Sequence, residues 1–149
     1  MTQISHDEYA SAATLRAALR RFGNETARVL REHGLTTERY ELLLAIKARS
    51  ENSSQATIAH LADDLHLAPS SMTQLARRAE DAGLLYRGVS REDGRIHYLL
   101  LTDTGASKLN AAASDLGPER HRLVTLLRKL DTPKTVTPAA NTSSRLAQV

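Results

Sequence analysis

"TIAHLADDLHLAPSSMTQLARRAEDAG", residues 57–83, divides into two short amphipathic segments on either side of a proline. In the first, Ile58, Leu61, Ala62 and Leu65 share a face, and Thr57 places a hydroxyl where a first helical turn needs an acceptor. His66-Leu67-Ala68 interrupts that helix, Pro69 suits the first turn of another, and Gly83 ends it. Two short helices joined by a tight turn form a helix-turn-helix pattern.

The second helix of the pair has two unlike sides. Met72, Leu75, Ala76, Ala79 and Ala82 gather on the face that a core would cover, while Ser70, Gln74, Arg77 and Asp81 lie opposite, with Thr73 and Arg78 at the flanks. Small hydroxyls at Ser70, Ser71 and Thr73 let a helix approach a duplex closely; a glutamine can pair with adenine, and arginines can take guanine or phosphate. The same residue types occur on any solvated helix face, so the neighbouring elements decide between the two readings.

Downstream, "LLYRGVS" (84–90) and "IHYLLL" (96–101) read as strands around a loop that carries Asp93-Gly94, a strong hairpin signal. A hairpin that follows a helix lying in the major groove extends sideways along the duplex, where the adjacent minor groove passes. Of the two arginines on its exposed loop, Arg91 and Arg95, both candidates for DNA contact, Arg95 is then positioned to enter that groove, whose negative potential attracts guanidinium groups. Asp93 cannot favourably touch phosphate, so its expected work is to orient an arginine or to stabilise the turn. The apolar run Ile96 to Leu101 is expected to anchor the hairpin by packing one strand face on the core.

Upstream, residues 6–33 contain no proline and one glycine, and Ala12, Leu15, Leu19, Phe22, Thr26 and Val29 recur at alternating helical intervals. A helix of about 28 residues is about 42 Å long, more than one small domain covers, so a second copy of the chain is the expected partner for the stripe. Gly34 closes this helix and Thr36-Thr37-Glu38 opens the next, expected to run to Ala48. After the hairpin, 102–116 returns to helix with Ala106, Leu109, Ala113 and Leu116 on one side; Gly117-Pro118 is expected to break it before a last amphipathic helix over 119–130. Residues 131–149, rich in Thr, Pro, Ala and Ser and without periodicity, read as a flexible tail.

The 149 residues, 41% of them hydrophobic, suit one integrated domain, with a net charge of +3 that is compatible with nucleic acid without requiring it. The absence of cysteine removes disulfides and thiolate metal sites and suits a reducing cytoplasm. Six histidines show no compact ligand spacing, so neither metal nor cofactor is expected. No glycine-rich phosphate loop, nucleophile elbow or HExxH appears, which leaves a catalytic reading without residues. No apolar run approaches a membrane span, and the chain is expected to be soluble and cytoplasmic.

Residues 35 to 109, half the chain, resemble the MarR (multiple antibiotic resistance regulator) family. The resemblance rests on "ATIAHLADDLHLAPSSMTQLARRAEDAGLLYR" and on "REDGRIHYLLLTDTG", where Asp93-Gly94-Arg95 fits the family's Asp-x-Arg wing signature and Thr102 to Gly105 its strand-to-helix junction. It implies a mainly α (α+β) winged helix-turn-helix, with dimerisation helices over 1–34 and 104–130 flanking a DNA-binding region over 35–103. It also implies a homodimer that binds a palindromic operator in double-stranded DNA and releases it when a small, often aromatic anion enters a pocket between the dimer and DNA-binding lobes. Tyr9, Arg16 and Tyr40 are candidates for that pocket, two rings for apolar contact and a charge for a carboxylate. Gln74 stands where the family commonly has arginine, and Ala68 where it often has serine, so Ser70 is expected to take over the capping. A reading from another class, a winged-helix protein-interaction module without DNA binding, shares the fold and differs in salt-dependent duplex binding.

Overall fold

The computed structural model describes residues 3–52 and 55–131. The order is α1 (His6–Glu32), α2 (Thr37–Glu51), α3 (Ile58–Leu65), α4 (Pro69–Asp81), β1 (Leu85–Val89), β2 (His97–Leu101), α5 (Asp103–Asp115) and α6 (Gly117–Asp131). This is a winged helix-turn-helix carried between an N-terminal helix and two C-terminal ones. The segment expected to form a tail lies, from residue 132 on, outside the described residues.

Local chemistry explains most boundaries. Ser5 and Glu8 close a reciprocal capping box at the start of α1, and Thr36, Thr57 and Thr102 each cap the helix that follows. Gly83, at φ +73°, turns the chain out of α4 in the left-handed region that favours glycine. His66 does the equivalent at the end of α3, at φ 53°, with a side chain that pays for the conformation in steric strain.

Four expectations need correction. Helix α2 continues to Glu51 rather than stopping at Ala48, because its last turn is held by Lys47 to Glu51 (2.7 Å) and Arg49 to Asp64 (2.6 Å). The break expected at Gly117-Pro118 falls one residue earlier. Leu116 is the single residue between helices, and Pro118 falls in the first turn of α6, where a missing N–H costs nothing. Ser70 does not cap α4, since it is already inside the helix; the N-cap position is Ala68, which offers no side-chain acceptor. Ile96 lies outside β2 and is exposed, so the hairpin is anchored chiefly by buried Leu99, with Leu101 packed beside it.

Two apolar clusters meet at α2. Leu42 and Ile46 join Leu61, Met72, Ala76, Ala79, Leu85 and Leu99 inside the winged helix-turn-helix. Tyr40 and Leu43, on the neighbouring face, join Val29, Leu30, Leu35, Leu84, Leu109, Ala112 and Leu116. Helix α2 is thus the shared wall between the winged helix-turn-helix and the flanking helices. A second tie runs through α5: Gly105 packs so closely on Leu84 that a Cβ there would overlap the Leu84 carbonyl, while the Thr102 hydroxyl donates to the Gly83 carbonyl at 2.6 Å.

Candidate nucleic-acid interface

Helix α4 presents its polar side to solvent because its apolar side is consumed by the core: Met72, Ala76 and Ala79 are fully buried, whereas Ser70, Ser71, Gln74, Arg77 and Arg78 are exposed. Ala82, expected on the covered face, is exposed at the end of the helix. Thr73 is half-buried and its hydroxyl donates back to the Pro69 carbonyl at 2.9 Å. Gln74 and Arg78 are one turn apart and linked by a long contact of 3.5 Å from Arg78 Nη2 to Gln74 Oε1. Their side chains therefore occupy the same strip of surface.

The wing is an antiparallel hairpin with Leu85 opposite Leu101 and Val89 opposite His97. Period-two alternation sets Leu85, Leu99 and Leu101 toward the core and Tyr86, Tyr98 and Leu100 away from it. Leu99 also donates its N–H to the Ala56 carbonyl at 2.8 Å, which ties the hairpin to the chain just before α3. At the tip, Arg91, Asp93 and Arg95 are all exposed. Asp93 accepts the Arg95 N–H at 3.0 Å, so of the two roles open to it from sequence it takes the turn-stabilising one. Among the described residues no carboxylate pairs with the Arg91 or Arg95 side chain.

Three contributors escaped the sequence reading. Ser90 is buried, and its hydroxyl accepts the N–H groups of Glu92 and Asp93 at 3.3 and 3.4 Å, which organises the loop; a serine at the start of a loop is the signal that could have found it. Arg49 forks onto Asp64 through two bonds of 2.6 and 2.8 Å, clamping α3 to α2. The hydrogen bond from Arg49 holds the Asp64 carboxyl below its ordinary value, against the opposing effect of burial. Arg87 pairs with Glu80 at 3.0 Å. No spacing rule pairs residues 15 or 7 apart across a loop.

The proposed pocket residues are not gathered within one protomer. Tyr9 is 62% exposed on the first turns of α1, whereas Tyr40 is 8% exposed in the cluster around Val29 and Leu30. Along α1 that separation is about 30 Å for Tyr9 and about 20 Å for Arg16. Burial raises the Tyr40 hydroxyl above its ordinary pKa, against the attraction of Arg120. A cleft of about 350 Å³ does lie between α1 and α6, walled by Ala17, Ala18, Phe22, Leu123 and Leu126 with Arg21 and Arg122 at its rim. Among the described residues no three His, Asp or Glu side chains gather as a metal site would require, and no helix is long and apolar enough to cross a membrane.

Residues 33–96 match the model of the MarR family, a span that runs from the end of α1 to the wing. Among solved structures, AbsC, a MarR family transcriptional regulator from Streptomyces coelicolor, superposes with a TM-score of 0.72 at 20% identity, covering 85% of this chain and 84% of its own. The S. aureus MepR–DNA complex gives 0.65 at 20% identity, covering 83% of this chain and 85% of that one. MosR of M. tuberculosis, solved in complex with DNA, gives 0.57 at 25% identity over 76% of this chain and 79% of that one. A search of curated proteins returned no match.

Proposed function

We propose, from the match of residues 33–96 to the model of the MarR family, that the chain is a transcription regulator of that family that binds a palindromic operator as a homodimer, most simply as a repressor. The observation that carries the reading is the pairing of two exposed cationic elements on one scaffold. Helix α4 offers Ser70, Ser71, Gln74, Arg77 and Arg78 to a major groove, and the hairpin that follows offers Arg91 and Arg95 beside it. MepR and MosR, which share the fold, are solved in complex with DNA, which supports DNA as the partner.

The homodimer is supported by the uncovered apolar surface of the flanking helices. Leu19 is 42% and Leu127 37% exposed, Val124 is exposed beside them, and among the described residues of α6 none is buried. A helix of 27 residues whose first turns are exposed is covered by a second copy at least cost, because a twofold axis lets one patch cover itself. An effector pocket using Tyr9, Arg16 and Tyr40 belongs to the same proposal and has to be assembled across two protomers, given their separation along α1. Duplex binding measured against salt separates this function from a protein-interaction module: the log of the affinity should fall linearly with the log of the salt concentration, and a salt-insensitive or absent interaction would favour the module.

A further inference from the structure

Helix α4 and the wing are joined by only three residues, Ala82-Gly83-Leu84, and across that connection Arg87 Nε donates to Glu80 Oε2 at 3.0 Å. Arg87 stands on the core-facing side of the hairpin: its register partner is buried Leu99, and buried Leu85 precedes it by two. Its side chain therefore leaves the sheet toward the last turn of α4. We propose that the Glu80–Arg87 pair fixes the angle between the recognition helix and the wing, making both positioning residues for sequence reading; the inference rests on the DNA-binding function proposed above.

The pair is poorly placed to serve stability. Its side chains are 37% and 35% exposed, and exposed ion pairs contribute little. It is well placed to remove a degree of freedom. A two-stranded hairpin is marginal alone, and this one is held at its base by Leu85, Leu99 and the bond to Ala56, while Val89 and residues 91–97 are exposed. Such an element pivots about its base. Arg87 lies two residues, about 7 Å, beyond Leu85 and level with Leu99, so the pair ties α4 to the last held register before the tip that carries Arg95.

Charge alone and positioning make opposite predictions for Glu80. A carboxylate beside a DNA-facing surface repels phosphate, so by charge Glu80→Gln should tighten binding to every duplex. By positioning it should weaken binding to the selected site.

The test has two arms and three variants: Glu80→Gln, Arg87→Met, and the exchanged pair E80R/R87E. The chain contains no cysteine, so spin labels can be placed on cysteines replacing Ser70 and Glu92, with labelled chains diluted into unlabelled ones so that each dimer carries one. Pulsed distance measurements should give one narrow distribution in the parent and in the exchanged pair, and a broader one in each single variant. Unchanged widths in both single variants would overturn the proposal. In unlabelled protein, Glu80→Gln should lose about tenfold in affinity for a duplex selected from genomic fragments, the size of one mismatched base pair, with little change on a random duplex and recovery in the exchanged pair. Tighter binding of Glu80→Gln to both duplexes would also overturn it. If the parent retains no duplex, the proposed function fails while the distances still decide whether the pair holds the wing.

Discussion

The Asp93 carboxylate accepts the backbone N–H of Arg95 at 3.0 Å, so the acid of the wing tip shapes the loop and leaves the neighbouring guanidinium without a carboxylate partner among the described residues. Removing the Arg95 side chain should therefore leave folding almost untouched. Arg95→Ala should hold stability within about 0.5 kcal/mol while weakening duplex binding by about 1 to 3 kcal/mol per wing. Asp93→Asn keeps an oxygen acceptor and should behave as the parent; Asp93→Ala should lose part of what Arg95→Ala loses. Fluorescence anisotropy beside thermal melts checks all three. Parental affinity in a folded Arg95→Ala dimer would take the wing off the DNA.

A second prediction concerns the turn between α3 and α4. His66 adopts φ 53° and is exposed, so its backbone is strained with no packing to compensate. His66→Gly should be neutral or stabilising, by up to about 1 kcal/mol, because relief of the left-handed strain is partly offset by glycine's greater freedom when unfolded. His66→Val should cost about 1 to 2 kcal/mol. Urea titrations of the two variants decide it, and equal stability in both would show that the turn opens to another conformation.

These residues mark what was legible in the sequence. The alternation of apolar and polar positions placed every described helix and both strands, because period and capping are local properties: Thr57, Pro69 and Gly83 each act within one turn of themselves. The exposed side of α4 followed from the same wheel. The Arg49–Asp64 and Glu80–Arg87 pairs were not legible, since they depend on how elements pack. The left-handed turn at His66 was missed because a histidine there carries no glycine signal. Ile96 lies outside β2, so the strand face expected to pack on the core does so through Leu99 and Leu101.

The clamp between α2 and α3 yields a pH prediction. Asp64 has its folded-state carboxyl pKa lowered by the hydrogen bond from Arg49, below the ordinary 3.8. A lowered folded value means that the pair stabilises the fold above the ordinary value and loses that contribution as pH falls through the lower one. Asp64→Asn should melt below the parent at pH 7, and the difference should shrink as the pH falls below about 4. Thermal melts from pH 7 to pH 2 supply the comparison; a difference that is constant across the range would show that the charge of Asp64 contributes nothing.

The dimer is tested on side chains the isolated protomer does not bury. Leu19→Asp and Leu127→Asp place charge on exposed positions of α1 and α6, outside both buried clusters of the chain. Sedimentation equilibrium should show the parent as a dimer and each variant shifted toward monomer, by about tenfold or more in dissociation constant if the leucine enters a desolvated interface. A parental dimer in both variants would move the interface elsewhere, and a monomeric parent would remove the homodimer altogether.

Hydroxyl-radical footprinting on fragments that the protein retains from genomic DNA reads α4, the wing and the dimer together. Two equivalent half-sites are expected, with centres about 10 bp or a multiple of it apart, each flanked by a protected minor groove. In Arg95→Ala the flanking protection should disappear while the central protection remains, and the log–log salt slope should fall by about 0.9 for each lost contact. A folded dimer that retains no fragment above random duplex, or that protects no symmetric site, would contradict the assignment of α4 and the wing to DNA.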